Sequence, residues 1–204
     1  MSVARRWVLG AFLLGMLLVV GDARASVSIA VTWDGLLRES TAAAIVTPIE
    51  ARSVWEDGRI YTYTHVRVER PIAGDLGAGG DAWVRTMGGV VGKIGQIVDG
   101  EPVLVPGQSS LLFLHAGPVG AYEVTARGQG QFPVVLDDPK NPATAHFVRS
   151  TSVGALVLPR AATSAAGSTS ASPPQRLAAD VVHGRAIDDV AHEIADAWKP
   201  THAQ

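Results

Sequence analysis

The sequence predicts a mainly β protein: a small closed or partly open barrel of about six strands, followed by a C-terminal helical segment. Three observations carry that prediction. Short runs rich in Val, Ile, Thr and Tyr are separated by turn signals containing glycine and proline. One of them, RIYTYTHVRVERPI from Arg59 to Ile72, alternates in character along its length. Beyond a stretch of small polar residues, apolar residues recur at helical rather than strand spacing. A small sandwich satisfies the same strand pattern.

Residues 1–25 read as a signal peptide. Arg5 and Arg6 precede an apolar run from Trp7 to Gly21, and Ala23-Arg24-Ala25 places small residues where a peptidase needs them. Cleavage is expected between Ala25 and Ser26, giving an exported protein, periplasmic or extracellular, with no membrane span. An uncleaved anchor is the rival reading, but the apolar run is shorter than the ~20 residues of a spanning helix. Arg5-Arg6-Trp7-Val8-Leu9 loosely resembles a twin-arginine signal, while the strongly hydrophobic run suits the general route, and both routes stay open. The chain has no cysteine, which excludes disulfides, thiolate metal sites and a lipidated N-terminus.

Residues 26–160 are expected to form the barrel. Val27–Thr32 reads as a short strand and Trp33–Ser40 as one or two helical turns. Thr41–Ser53 is a long apolar strand in which Pro48 marks an edge or a bulge. Asp57-Gly58 is a hairpin signal. In the strand that follows, Ile60, Thr62, Thr64, Val66 and Val68 share one face and Tyr61, Tyr63, His65, Arg67 and Glu69 the other. Residues 74–81 form a loop. Ala82–Thr86, Ser109–His115, Ala121–Arg127 and Gln131–Leu136 read as further strands, with turns at 118–120 and 128–130. Residues 161–174 are a flexible linker. Residues 175–199 form two helical segments separated by Gly184, the second ended by Pro200, and their apolar stripe docks on the barrel or on a partner.

The glycines between Arg85 and Val103 invite a phosphate-binding reading that the spacing rejects. A P-loop needs glycine five residues before its Gly-Lys and a hydroxyl after it, whereas Met87 and Ile94 occupy those places. Gly89, Gly92 and Gly95 also miss the dinucleotide fingerprint. The stretch reads as a β-hairpin bent by glycine.

Removing residues 1–25 leaves a modestly acidic chain, which argues against nucleic acid and anionic membranes as partners. Tyr61, Tyr63, His65 and Arg67 could form a stacking or protein-binding face, or simply an ordinary half-exposed strand surface. No zinc spacing occurs among the histidines; His192-Glu193 lacks a second histidine four residues on. Asp137–Pro142 fits a rigid turn better than a calcium loop. There is no Gly-x-Ser-x-Gly elbow near Ser109 and Ser110, and Glu50 with Glu56, or Asp99 with Glu101, cannot be told from solvated turns. No catalytic residue, cofactor or metal is therefore expected.

Three stretches, Trp55–Tyr63, Val84–Gly92 and Pro106-Gly107-Gln108 before Leu111–Leu114, resemble a family of uncharacterised exported bacterial β-barrel proteins. The resemblance covers roughly residues 27–136 and implies no assigned activity. More distantly, the order of parts is similar to the netrin-like module of tissue inhibitors of metalloproteinases. Shared features are an N-terminal segment, a short helix, a strand such as Ala43-Ala44-Ile45-Val46, and long barrel strands. That resemblance implies an OB-type barrel, and a chelating N-terminus at Ser26 followed by Val27, without the cysteine of those inhibitors. The expected function is an exported, non-catalytic binding module for a protein or a cell-envelope component. An inhibitor of an extracellular protease and a hydrolase of unknown substrate are the alternatives.

Overall fold

The computed structural model describes residues 27–76, 80–159 and 175–203. The signal peptide read at residues 1–25, the cleavage expected between Ala25 and Ser26, and the linker read at 161–174 lie outside them. Among the described residues the strands and α-helices run in the order β1 (Val27–Ile29), α1 (Trp33–Glu39), β2 (Ala42–Glu56), β3 (Arg59–Gly74), β4 (Asp81–Met87), β5 (Gly89–Val91), β6 (Ile94–Gln96), β7 (Ser110–Ala116), β8 (Tyr122–Val124), β9 (Gln131–Leu136), β10 (Ala145–Phe147), β11 (Ala155–Val157), α2 (Ala178–Val182) and α3 (Ile187–His202).

β2, β3, β4, β8 and β7 pair in that order, and β7 pairs back onto β2, so the five strands close into a barrel. The pairing of β4 with β8 is parallel and the rest of the ring is antiparallel. In chain order the ring runs first, second, third, fifth, fourth, a Greek-key closure of the OB type. β9 extends the sheet from β7, and β10 extends it from β9. The Asp57-Gly58 signal is borne out: both residues take positive φ, 49° and 77°, and join β2 to β3 in a tight turn.

The alternation of β3 sorts its side chains as the sequence predicts. Ile60, Thr64 and Val66 are buried, and Val66 joins Ala44, Val46, Val84, Leu112, Leu114 and Val124 inside the barrel. A second core lies between the outside of β2 and β7 and the helices, because consecutive residues of those strands point to opposite faces. There Ala43, Ile45, Leu111 and Phe113 meet Trp33, Leu36 and Leu37 of α1 and Val190 and Ile194 of α3. Trp33 packs edge-on against Phe113 at 5.9 Å, and Phe113 against Phe132 at 6.2 Å. Thr32 caps α1 by accepting from Gly35 N at 3.1 Å.

Several expectations are corrected. The strand read over Val27–Thr32 ends at Ile29, because Thr32 serves as the helix cap. The strand read over Ala121–Arg127 is only β8, since Ala126 and Arg127 both turn into the left-handed region at φ 55° and 54°. β10 and β11 were not expected at all; each is a three-residue strand, too short for a periodic signal. Pro200 does not end α3, which continues to His202. It sits in the last turn, where Thr201 Oγ1 donates to Ala197 O at 2.7 Å and the His202 ring nitrogen Nδ1 lies 3.1 Å from Trp198 O. The apolar stripe of α3 docks on the barrel, the first of the two places the sequence offered it.

Candidate functional site

Register on the outer surface of β3 and β4 decides which polar residues meet. Tyr61 lies opposite Met87, Tyr63 opposite Arg85, His65 opposite Trp83 and Arg67 opposite Asp81. The parallel pairing of β4 with β8 then sets Glu123 beside Arg85. Arg85 reaches Glu56 Oε2 with Nη2 and Glu123 Oε1 with Nη1, each at 2.8 Å, and its guanidinium carbon sits 3.5 Å from the centre of the Tyr61 ring. Tyr63 donates its hydroxyl to Glu56 Oε1 at 2.7 Å. The Arg85 Nε is buried without a partner.

Charge in this cluster is held firmly. The Tyr63 hydroxyl bond, assisted by Arg85 and only partly opposed by burial, keeps the Glu56 carboxyl below its usual range. Burial and the bond to Glu56 push the Tyr63 phenol up. Burial alone would pull Arg85 down, but its bonds to Glu123 and Glu56 outweigh that and hold it above the ordinary arginine value.

The cluster forms one wall of a cleft of about 230 Å³ between Tyr61, Arg85, His115 and Glu123 on one side and Glu101 and Arg127 on the other. Glu101 binds Arg127 Nε at 3.2 Å and accepts from Met87 N at 3.0 Å. His115 Nε2 is 3.6 Å from Glu123 and its Nδ1 is 3.3 Å from Thr125 Oγ1. The charges in the cleft therefore compensate each other in pairs. Ala126 and Arg127, the two consecutive non-glycine residues of positive φ, sit at this cleft, each at a cost of about 1 kcal/mol. Among the described residues no group of three His, Asp or Glu side chains could hold a metal ion.

The expected face is thus split three ways. Tyr61 and Tyr63 join the Arg85 cluster, His65 stacks on Trp83 at 4.9 Å, and Arg67 is exposed beyond them. Val27 opens β1 and runs parallel to β11 opposite Ala155, while Ser26 lies outside the described residues. Sequence reasoning missed Arg85 and Glu123 as partners, and it could not separate Glu56 and Glu101 from turn residues. Their only signal was alternation of Trp83, Arg85 and Met87 along β4, which names a face but not its neighbours.

A second feature lies on the inner side of the β2–β3 hairpin, at the mouth of the barrel. Here Ala51, Thr62, Thr64 and Thr86 floor a trough of about 510 Å³. β5 and β6 form the glycine hairpin at its edge, as expected, and Gly89 rests against Ser53 and Thr62. The hydroxyls are engaged, Thr62 Oγ1 donating to Gly88 O at 2.7 Å and bonding Ser53 Oγ at 2.9 Å. Around the trough, Val90, Ile97 and Val103 are 66%, 85% and 57% exposed. Ile94 and Val105 are exposed on the same two segments.

Compared with known proteins, the chain matches no family model, no curated protein and no solved structure.

Proposed function

We propose that the protein is an exported, non-catalytic barrel module that binds another protein. The observation that carries this reading is the aliphatic rim of Val90, Ile97 and Val103 turned to solvent around an apolar trough. Grouped apolar side chains around a concavity mark interaction surfaces far more often than isolated ones do. The titratable groups of the neighbouring cleft support the same reading. A general acid or base works best with a pKa near the operating pH, whereas Glu56, Tyr63 and Arg85 are all moved away from neutrality.

The test is chemical crosslinking of tagged residues 26–204 in culture medium and envelope, followed by affinity capture and mapping of the crosslinked sites. A partner crosslinked at the 90–105 segments supports the reading. Saturable turnover of a hydrolase substrate, abolished by a substitution that leaves the fold intact, overturns it.

A second reading, an envelope glycan as partner, is favoured by one observation. His65 and Trp83 stack on the outer face of β3 and β4, with Trp83 39% exposed, offering a sugar a flat apolar surface beside polar groups. Sedimentation with isolated cell-wall glycan, lost in Trp83→Ala, is the expected result if that reading holds.

A further inference from the structure

The barrel wall has a slot. β2 runs from Ala42 to Glu56, and β3 pairs with it along that whole length, to Glu56 opposite Arg59. On its other side β7 accompanies it only from Ala42 to Val46. Beyond that point no strand among the described residues pairs with this edge of β2. The chain leading into β7 leaves the sheet instead: Gly107 N donates to Pro48 O at 2.9 Å and Thr47 bonds Ser109 at 2.8 Å, the last ties between them. Ile49, Glu50, Ala51, Arg52 and Trp55 are accordingly exposed. The trough opens beside this edge, with Ala51 of β2 in its lining and Ile97 and Val103 on the facing loop.

Two demands meet at one place. The free edge of a strand offers a row of backbone N–H and C=O groups that only water satisfies, a ready template for pairing with another chain. The aliphatic rim gains by being covered. A fatty acyl chain would fill the trough but offers the edge neither donor nor acceptor. A folded partner with a flat surface would cover the rim but could not enter the slot. An extended polypeptide does both, because its backbone bonds along one edge while every second side chain points to the same face.

We infer that the slot takes an extended segment of a partner protein, apolar at alternate positions, which adds to β2 along Ile49–Glu56 in the line that β7 vacates. Its apolar side chains enter the trough over Ala51, Thr62 and Thr86, between Val90 and Ile97. This inference rests on the protein-binding reading above and specifies its mode.

The experiment uses residues 26–204 as the target for a phage-displayed library of random peptides of about eight residues, the length of the free edge. Selected peptides are expected to alternate apolar and polar residues. N-methylation of one alternate set of their amides should weaken binding about tenfold or more, the loss expected when ladder bonds are removed, whereas the other set, facing solvent, tolerates it. Ile97→Glu, at a residue too exposed to affect folding, should abolish selection, with the circular dichroism spectrum unchanged as the control. Peptides that bind regardless of which amides are methylated overturn strand addition but leave the binding-module reading standing. So does a captured partner whose crosslinks map to Trp83 and Tyr61 instead. A concentration-dependent dimer of the protein itself, lost in Ile97→Glu, also overturns the inference, because a second copy then covers the slot.

Discussion

Arg85 and Glu123 face each other across the parallel pair of β4 and β8, with Nη1 2.8 Å from Oε1. These are the third and last strands of the barrel ring, joined over only two residue pairs, Val84 with Tyr122 and Arg85 with Glu123. An ion pair at so short a seam has more to do than one on a long ladder. Glu56, from the β2 end of the hairpin, binds the other arm of the same guanidinium, so one side chain ties three strands together.

Arg85→Ala would leave two carboxylates facing each other without their cation. Removing one partner of a buried pair costs about 3–5 kcal/mol, and partial exposure of the carboxylates lowers that to about 2 kcal/mol here. Arg85→Lys keeps the charge but loses the fork that spans both acids, and should recover less than half. Urea unfolding of the three proteins at neutral pH, read at the midpoint, checks both statements.

The same cluster sets a pH window. The Glu56 carboxyl is held below the ordinary carboxylate range in the folded state, so its contribution is complete above that range and disappears as pH falls through the lower folded value. The Tyr63 phenol is held above the ordinary tyrosine value, so its contribution is complete below that value and disappears as pH rises through the higher folded value. Asp188, bonded by Arg70, adds to the acid limb. So does Glu193, where bonds from Arg185 and Arg176 outweigh the effect of burial. The urea midpoint should therefore be flat between these limits and fall outside them. Glu56→Gln should shrink the loss on both limbs, while an unchanged profile in that variant would show that the cluster does not govern it.

What could be read from the sequence follows from the range of each signal. The β3 alternation, the Asp57-Gly58 turn and the α3 stripe depend on neighbours within one element, and all three hold. Pro48 also reads correctly as an edge and a bulge: the register shifts between Pro48 and Glu50, just where β7 departs. The early end of β8 was not legible, because alanine and arginine at positions 126 and 127 carry no mark of left-handed backbone as a glycine would. Nor was the Arg85 cluster. Its members come from β2, β3, β4 and β8, and only the register of four strands brings them within bonding distance.

The docking of α3 gives a prediction about the second core. Ile194 is fully buried in the core that α3 shares with α1, β7 and α2, and its truncation leaves a cavity there. Ile194→Ala should cost about 3 kcal/mol. Ala195→Ser, one residue on, should be nearly neutral, since that side chain is only partly buried. Differential thermal unfolding of the two variants reads the contrast directly.

The glycine hairpin offers the sharpest local test, because two of its glycines have different reasons to be glycine. Gly92 forms the turn between β5 and β6 at φ 61°, with open space where a Cβ would stand. Alanine there should pay only the left-handed backbone cost, about 1 kcal/mol. Gly89 has φ 131°, outside any basin that alanine occupies comfortably, and its Cβ would be driven into Thr62 Oγ1 and Ser53 Oγ. Those two hydroxyls bond each other, and Thr62 also bonds Gly88 O, so neither can turn aside without losing a partner. Gly89→Ala should thus cost about 2 kcal/mol or more and lift the hairpin from the β2–β3 floor. Hydrogen exchange reports this separately from global stability: faster exchange at Val90 and Val91 in Gly89→Ala, with Gly92→Ala close to the parent. Equal protection in both variants would mean that the hairpin is held by its turn alone, and that its contact with Ser53 and Thr62 contributes little.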